Sequence, residues 1–190
     1  DRHIDIVLGV DTKLPEVVVT GDLNSPLLTT QTGKRSLSQQ DIKTEYAMLS
    51  VPDLVKTLQR GSGVAEGMEL MSGMYVHGGN GDENLFLLDG TPLYDINHAA
   101  GLFSSFNPDV VKNVDFYKSG FPARYGGRLS SVVDVRTKDG DMEHLHGSYR
   151  IGMIDAGVHL EGPIVKGKTS YNIGLRRSYS DLVMALIPWT

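Results

Sequence analysis

Residues 107–137 read NPDVVKNVDFYKSGFPARYGGRLSSVVDVRT, and the fold turns on how this run divides. Asn107 and Pro108 have the chemistry of a helix cap and first helical position, so one helical turn is expected before the valines. NVDFYKSG and SSVVDVRTK then read as two short strands, rich in β-branched and aromatic residues. Between them Gly120, Pro122, Gly126 and Gly127 force a compact loop that Phe121 and Tyr125 anchor. Arg124 and Arg128 leave two guanidiniums on that loop. In a soluble domain these would be solvated; inside a larger protein their planar forks suit bidentate pairing with carboxylates of a surrounding wall.

Upstream, NLFLLDG is apolar throughout, as expected of a central strand covered on both faces. Asp89-Gly90 ends it in a tight turn. GMYVHG reads as another strand, and KRSLS as a short strand running into Ser38, which caps a helix over QQDIKT. A second helix is expected from Ser50 as cap and Pro52 in the first turn, with Val51, Leu54, Val55 and Leu58 as its apolar stripe and Gly61 as its stop. Short helices alternating with buried strands predict a small α+β or mixed-sheet domain over roughly residues 32–138.

Both flanks change character. HIDIVLGV alternates from Ile4 to Val10 like a terminal strand. LPEVVVTGD, Leu14 to Asp22, places three valines before an aperiodic linker from Ser25 to Lys34. That segment is either a core strand or a peptide destined for another protein's sheet edge. At the other end GVHLEG and SYNIGLRRSY alternate around PIVKGK, whose Lys166-Gly167 supplies turn chemistry. Such a hairpin fits a half-buried soluble sheet and equally a membrane barrel, with one face to lipid and one to a polar lumen.

Composition narrows the function. The 190 residues carry 40% hydrophobic side chains, enough for a core, and 22 glycines, which favour turns over long helices. A net charge of −5 excludes a basic nucleic-acid footprint. With no cysteine there is no thiol nucleophile, disulfide or cysteine zinc site. No run of 18 apolar residues offers a membrane helix, and the absence of an initial methionine points to a processed or excised piece.

Enzyme signatures fail individually. FLLDGTPLYD resembles a phosphatase-type aspartate motif, but Leu87 stands where the nucleophilic carboxylate belongs. GGNGDEN, Gly78 to Asn84, occurs once, lacks a following Lys-Ser or Lys-Thr, and would repel phosphate through Asp82 and Glu83; a surface loop is the expected reading. His77, Asp89 and a serine could form a hydrolytic triad on paper, yet no nucleophile elbow exists. His144 and His146 place two imidazoles on one face, which a metal could use, although histidines beside a turn are commonly plain surface residues. No catalytic residue, cofactor or metal is expected.

Taken in order, the glycine-rich loop, NLFLLDGTPLY and the 107–137 run resemble the plug domain of TonB-dependent outer-membrane receptors, most closely the Bacteroidetes type that follows a carboxypeptidase-regulatory-like domain. The resemblance covers nearly the whole chain and is most specific over residues 75–138. It implies an α+β fold: a small mixed β-sheet plug with short helices, flanked by an N-terminal extended segment and a C-terminal hairpin from the start of a transmembrane β-barrel. The implied divisions are residues 1–13 as the last strand of a preceding β-sandwich, 14–31 as TonB box and linker, 32–140 as plug, and 141–190 as the first barrel strands.

The function it implies is gated, non-enzymatic nutrient uptake of the glycan, peptide, siderophore or cobalamin class. The implied location is the outer membrane, with the plug inside the barrel and the N-terminal segment periplasmic. Implied partners are TonB, the chain's own barrel, the imported ligand and a surface lipoprotein, and no nucleic acid. Glu16, Val17, Val18, Val19 and Thr20 would pair with TonB by strand addition. Asn80, Asp82, Tyr94, Asn97 and His98 would lie on ligand-facing loops, and Arg124 and Arg128 would touch the barrel. His77 departs from the family pattern, which usually has arginine before this glycine; a neutral imidazole there would hold only a hydrogen bond. The rival reading is a soluble periplasmic α+β ligand-binding or sensing module, in which the terminal hairpin packs onto the domain's own sheet.

Overall fold

The computed structural model describes residues 33–45, 52–66, 73–98, 103–152 and 155–179. Within them the elements run β1 (Lys34–Ser38), α1 (Gln39–Thr44), α2 (Leu54–Gln59), β2 (Val64–Glu66), β3 (Met74–Val76), a 3-10 turn (Gly81–Glu83), β4 (Asn84–Leu88), β5 (Thr91–Leu93), β6 (Asn97–His98), β7 (Phe103–Ser104), β8 (Val111–Tyr117), β9 (Ser131–Thr137), β10 (His146–Ile151), β11 (Asp155–Val165) and β12 (Thr169–Ser178). The strand expected at 1–13 and the box and linker at 14–31 lie outside the described residues.

A five-stranded mixed sheet in the order β1-β8-β9-β4-β5 forms the centre. All its pairings are antiparallel except β4 with β9, which is parallel in the register Asn84 to Ser131 and Leu88 to Val135. Strand periodicity sends alternate side chains to opposite faces. One face gives Leu37, Phe86, Val114, Phe116, Val133 and Val135 to the main core, where they meet Ile42 of α1 and Leu54, Val55 and Leu58 of α2. The other gives Leu87, Tyr117 and Val132 to a smaller cluster closed by Leu85, Phe121 and Tyr125. β4 is therefore apolar at successive positions because both its faces are covered, as the sequence predicts.

The helix over 39–44 forms with the expected cap: the Ser38 hydroxyl accepts from the Asp41 amide at 3.2 Å, and the Asp41 carboxylate accepts from the Ser38 amide at 2.7 Å. The second helix starts later than expected. Asp53 caps it, accepting from the Val55 and Lys56 amides at 2.9 and 3.3 Å, and Pro52 precedes the cap. Asp53 is buried, and its second oxygen accepts from the Ser104 amide at 2.7 Å. One carboxylate thus satisfies orphan helix donors and a donor at β7 together, which a serine hydroxyl could not do. Ser50 lies outside the described residues.

The helical turn expected after Asn107 is a single hydrogen-bonded turn. The Val110 amide donates to the Asn107 carbonyl at 3.2 Å, and β8 begins at Val111 because the β-branched pair is claimed by the ladder to β9. Asp89 and Gly90 adopt positive φ, +48° and +81°, linking Leu88 to Thr91 in a two-residue hairpin. The Asp89 carboxylate then receives the Thr137 amide and hydroxyl at 2.9 and 2.7 Å, pinning this hairpin to the end of β9.

β10, β11 and β12 form a separate antiparallel sheet. The β11–β12 hairpin turns at Lys166–Lys168, with Gly167 at φ +69°, as its sequence predicts. β10 was not legible as a strand, since Gly147 and Ser148 interrupt its apolar alternation.

Candidate functional site

The three-stranded sheet has two unlike faces. Tyr149, Ile151, Val158, Leu160, Ile173 and Leu175 share one face through the pairings of Tyr149 with Val158, Val158 with Leu175 and Leu160 with Ile173. All six are exposed, Tyr149 at 82% and Leu175 at 67%. No helix among the described residues is long and apolar enough to cross a membrane, a statement that does not bear on strands.

The opposite face carries Arg150, Asp155, Gly157, His159, Glu161, Asn172, Gly174 and Arg176, and it rests against the end of the mixed sheet where β8 begins and β9 finishes. Asp109, in the turn before β8, is the centre of that contact. Its carboxylate accepts from Arg150 Nη1 at 2.7 Å and pairs with Lys43 Nζ of α1 at 3.2 Å. Gln39 of α1 donates to the Pro108 and Asp109 carbonyls at 3.0 and 2.8 Å, so helix, turn and β10 are tied at one residue. Burial opposes ionisation of Asp109, but the Arg150 charge and the hydrogen bond and charge of Lys43 outweigh it and hold the carboxyl below its ordinary range.

Further along, Lys138 Nζ lies 3.6 Å from Glu161, and its carbonyl accepts from Asn172 Nδ2 at 3.0 Å. The buried His159 ring donates through Nε2 to Asn172 Oδ1 at 2.8 Å. Ser170 donates to the Asp139 carbonyl at 2.6 Å. Asp155, fully buried, accepts from Arg176 Nε at 2.8 Å. At Gly174 a Cβ would stand 2.4 Å from Val110 Cγ1 and 2.8 Å from Asn107 Nδ2, so glycine is what lets β12 approach the 107–110 turn. The alternation of GVHLEG and SYNIGLRRSY puts His159, Glu161 and Asn172 on the polar side, but Asp109, Lys138 and Arg150, which they or their sheet meet, were not singled out from sequence. The available signal was period two: Asp155, Gly157, His159 and Glu161 are alternate residues of β11.

The two arginines expected to meet a wall sit at the other end of β8 and β9. Arg124 is exposed and donates through Nη2 to the Tyr125 hydroxyl at 2.7 Å, its guanidinium 4.6 Å from the Tyr125 ring centre. Tyr125 donates in turn to Asp134 at 2.8 Å. Burial first, and then the hydrogen bond to Asp134, push the Tyr125 phenol up to about 12, against the opposing hydrogen bond from Arg124. Arg128, half-exposed, makes no hydrogen bond or ion pair among the described residues. A cleft of about 650 Å³ lies beside this network, lined by Leu87, Asp89, Pro92, Arg124, Asp134 and Arg136.

The loops expected to face ligand gather at the Arg124 end. Asn80 and Asp82 are exposed on the turn before β4, and Tyr94, 91% exposed, follows β5. Gly81 and Tyr94 line one cavity of about 160 Å³, which brings these two loops together. A second cavity, about 480 Å³, runs between His77, Gly79 and Glu83 on one side and Lys118, Phe121 and Leu129 on the other. The backbones of Asn97 and His98 pair with Ser104 and Phe103. His77 stands at φ +50° and packs over Gly63, which has no Cβ to obstruct the ring. Glu16, Val17, Val18, Val19 and Thr20 lie outside the described residues.

Comparison with known proteins bears on this arrangement. The family model described as TonB-dependent Receptor Plug Domain matches residues 26–133, more than half of the chain. Among solved structures, the siderophore receptor PirA from Acinetobacter baumannii superposes with TM-score 0.59 at 18% identity, over 77% of this chain and 24% of the receptor. PirA from Pseudomonas aeruginosa gives 0.57 at 21% identity, over 78% and 28%. A variant of the ferric enterobactin receptor PfeA from Pseudomonas aeruginosa gives 0.55 at 20%, over 77% and 24%. The chain thus spans about a quarter of the length of these receptors, and at such identities the likeness is one of fold. No curated protein matches the sequence.

Proposed function

This chain belongs to the TonB-dependent receptor plug domain family, and on that premise we propose that it gates nutrient entry through an outer-membrane barrel and is released by TonB pulling on residues 14–22. The β10–β12 sheet is the first part of the barrel wall, as residues 141–190 are expected to be. The observation that carries this reading is the sidedness of that sheet. Six exposed apolar side chains face outward, while a polar face of ion pairs and hydrogen bonds rests on the plug. A soluble sensing module would bury the apolar face and expose the polar one. The arrangement is what a lipid-facing, lumen-lining strand needs.

The mechanism follows from the position of β1. It is an edge strand, paired only to β8, and buries one side chain, Leu37. The Lys118 amide donates to the Gly33 carbonyl at 2.8 Å, just where the linker enters. Tension on the linker therefore loads the outermost ladder first, and stripping β1 leaves β8, β9 and β4 paired. The loops bearing Asn80, Asp82 and Tyr94 stand at this same end, so ligand contact there and tension on the box act on neighbouring residues; Asn97 and His98 belong to this ligand-facing set. Arg124 and Arg128 remain the wall contacts for barrel strands beyond this chain. Cargo of the glycan, peptide, siderophore or cobalamin class, residues 1–13 as the last strand of a preceding β-sandwich domain and a surface lipoprotein partner complete the proposal.

The test is a single substitution in the full-length receptor. Proline lacks the amide that strand addition requires, so Val18→Pro should abolish uptake while ligand binding at the cell surface persists, and Val18→Ile should transport normally. A peptide containing Glu16 to Gly21 should bind the TonB C-terminal domain and lose affinity with the same proline. Undiminished uptake by Val18→Pro would refute strand capture.

A further inference from the structure

Between β9 and β10 the chain crosses from the mixed sheet to the three-stranded sheet, and a group of side chains on this crossing is used by neither. We propose that Asp141, His144 and His146 form a three-ligand binding site for a late first-row divalent cation such as Zn2+, at the junction of plug and wall.

The geometry is local and already half-organised. Asp141 Oδ1 accepts from the Glu143 and His144 amides at 2.6 and 3.0 Å, which fixes the carboxylate and turns Oδ2 the other way. Oδ2 faces both imidazoles: His146 Nε2 lies at 2.8 Å and His144 Nδ1 at 4.0 Å. The three ligand atoms all lie within 4.8 Å of one another. Nitrogen and oxygen ligands about 2.0–2.1 Å from a tetrahedral zinc stand about 3.3 Å apart. The two separations from Asp141 Oδ2 bracket that value, and the two imidazole nitrogens lie within 4.8 Å of each other.

His146 opens β10 and is held opposite Glu161 by the ladder to β11, while the Gly167 amide donates to the Met142 carbonyl at 3.1 Å. An Asp–His hydrogen bond accounts for His146 alone. It does not account for His144, whose Nδ1 lies 4.0 Å from the same oxygen, beyond hydrogen-bond reach.

The donor set points to the class of cation. Two imidazoles and one carboxylate suit late first-row ions such as zinc, nickel, copper or ferrous iron, and the lack of a thiolate, and among the described residues of a further carboxylate in the group, disfavours soft and hard ions. Three protein ligands at an exposed site leave a position for water or for a donor from elsewhere. An ion held there would clip the segment after β9 to the first strand of the second sheet. Asp141 and His144 precede β10 and His146 opens it, but none of the three is among the outward apolar side chains or the polar contacts to the plug that carry the proposed uptake function, so the two stand or fall separately.

Zinc titration of the metal-stripped full chain by calorimetry tests this, beside His144→Ala, His146→Ala and Asp141→Asn. Asparagine keeps the oxygen that caps the Glu143 and His144 amides but loses the anionic ligand, so it separates ligation from turn formation. Each variant should weaken zinc binding at least as much as loss of an outer-shell partner does, roughly 10-fold or more. Zn2+ should also slow diethyl pyrocarbonate modification of His144 and His146 while leaving exposed His77 unchanged. Wild-type zinc affinity in both histidine variants, or modification of both imidazoles at the same rate with and without zinc, would overturn the site. Wild-type affinity in Asp141→Asn would overturn the carboxylate's part in it.

Discussion

The mixed sheet is closed on one face by helices and met at one end by the three-stranded sheet, and the two contacts are built from opposite materials. Between α1, α2 and the sheet the packing is apolar: Ile42, Leu54, Val55, Leu58, Val114, Phe116, Val133 and Val135 are each fully or almost fully buried. Against the second sheet the contact is Asp109 with Arg150, Lys138 with Glu161, and His159 through Asn172 to a backbone carbonyl. Apolar packing is indifferent to direction and is lost in proportion to area exposed. A few oriented polar contacts can be exchanged for water at little net cost. Under the proposed function, the first contact suits a body that must survive being pulled and the second one that can be let go.

The comparison breaks most readily at Phe116, 0% exposed between the sheet and its helices. Phe116→Ala should cost about 4 kcal/mol, read as a lower denaturant midpoint with every strand of the mixed sheet losing hydrogen-exchange protection together. A smaller loss confined to β8 would mean that this core is not one cooperative unit.

Asp109→Ala sharpens the contrast at the other contact. It leaves Arg150 and Lys43 without their shared carboxylate, and removing one partner of such a buried pair costs about 3 kcal/mol. The loss should appear as rapid exchange across residues 146–178 with β4, β8 and β9 still protected. Acid should do the same reversibly. Because the native carboxyl is held below its ordinary range by Arg150 and Lys43, against burial, its contribution is complete above the unfolded-state value of about 3.9 and is lost as pH falls through the lower native value. Protection of β10 should therefore fail below about pH 4 before the core does. Simultaneous failure of both regions would erase the distinction.

What the sequence disclosed follows the same division. Strands β4, β8 and β9, the capped α1 and the Asp-Gly hairpin were legible because each is specified by neighbours in the chain: β-branched runs, a serine three residues before an aspartate, a dipeptide with positive φ. Residues 107–137 carry most of the fold for that reason. The contact around Asp109 was not legible, since Asp109 and Arg150 are 41 positions apart and an arginine in a strand carries no mark of the carboxylate it will find. The start of α2 was misjudged in the same way: Ser50 and Asp53 are equally good caps by residue type, but Asp53 also reaches Ser104 of β7, a partner that spacing does not reveal. The loops with Asn80, Asp82 and Tyr94 could be named as loops, and only the fold brings Gly81 and Tyr94 around one cavity.

The smallest effect belongs to the face between these extremes, where Tyr125 closes the minor cluster and joins Arg124 to Asp134. Its ring packs 5.4 Å from that of Tyr117, so Tyr125→Phe keeps the apolar contact and removes only the hydroxyl. The loss should be about 1 kcal/mol, well below that at Asp109, because Arg124 is exposed and its freed guanidinium returns to water. The phenol offers a direct reading of the same link. Burial and the Asp134 hydrogen bond push it up to about 12, so phenolate absorbance should register Tyr125 among the last tyrosines to ionise. Asp134→Asn should bring it back toward the ordinary value of about 10. If the titration does not move, the carboxylate does not hold the hydroxyl, and the arginine loop is anchored by its rings alone.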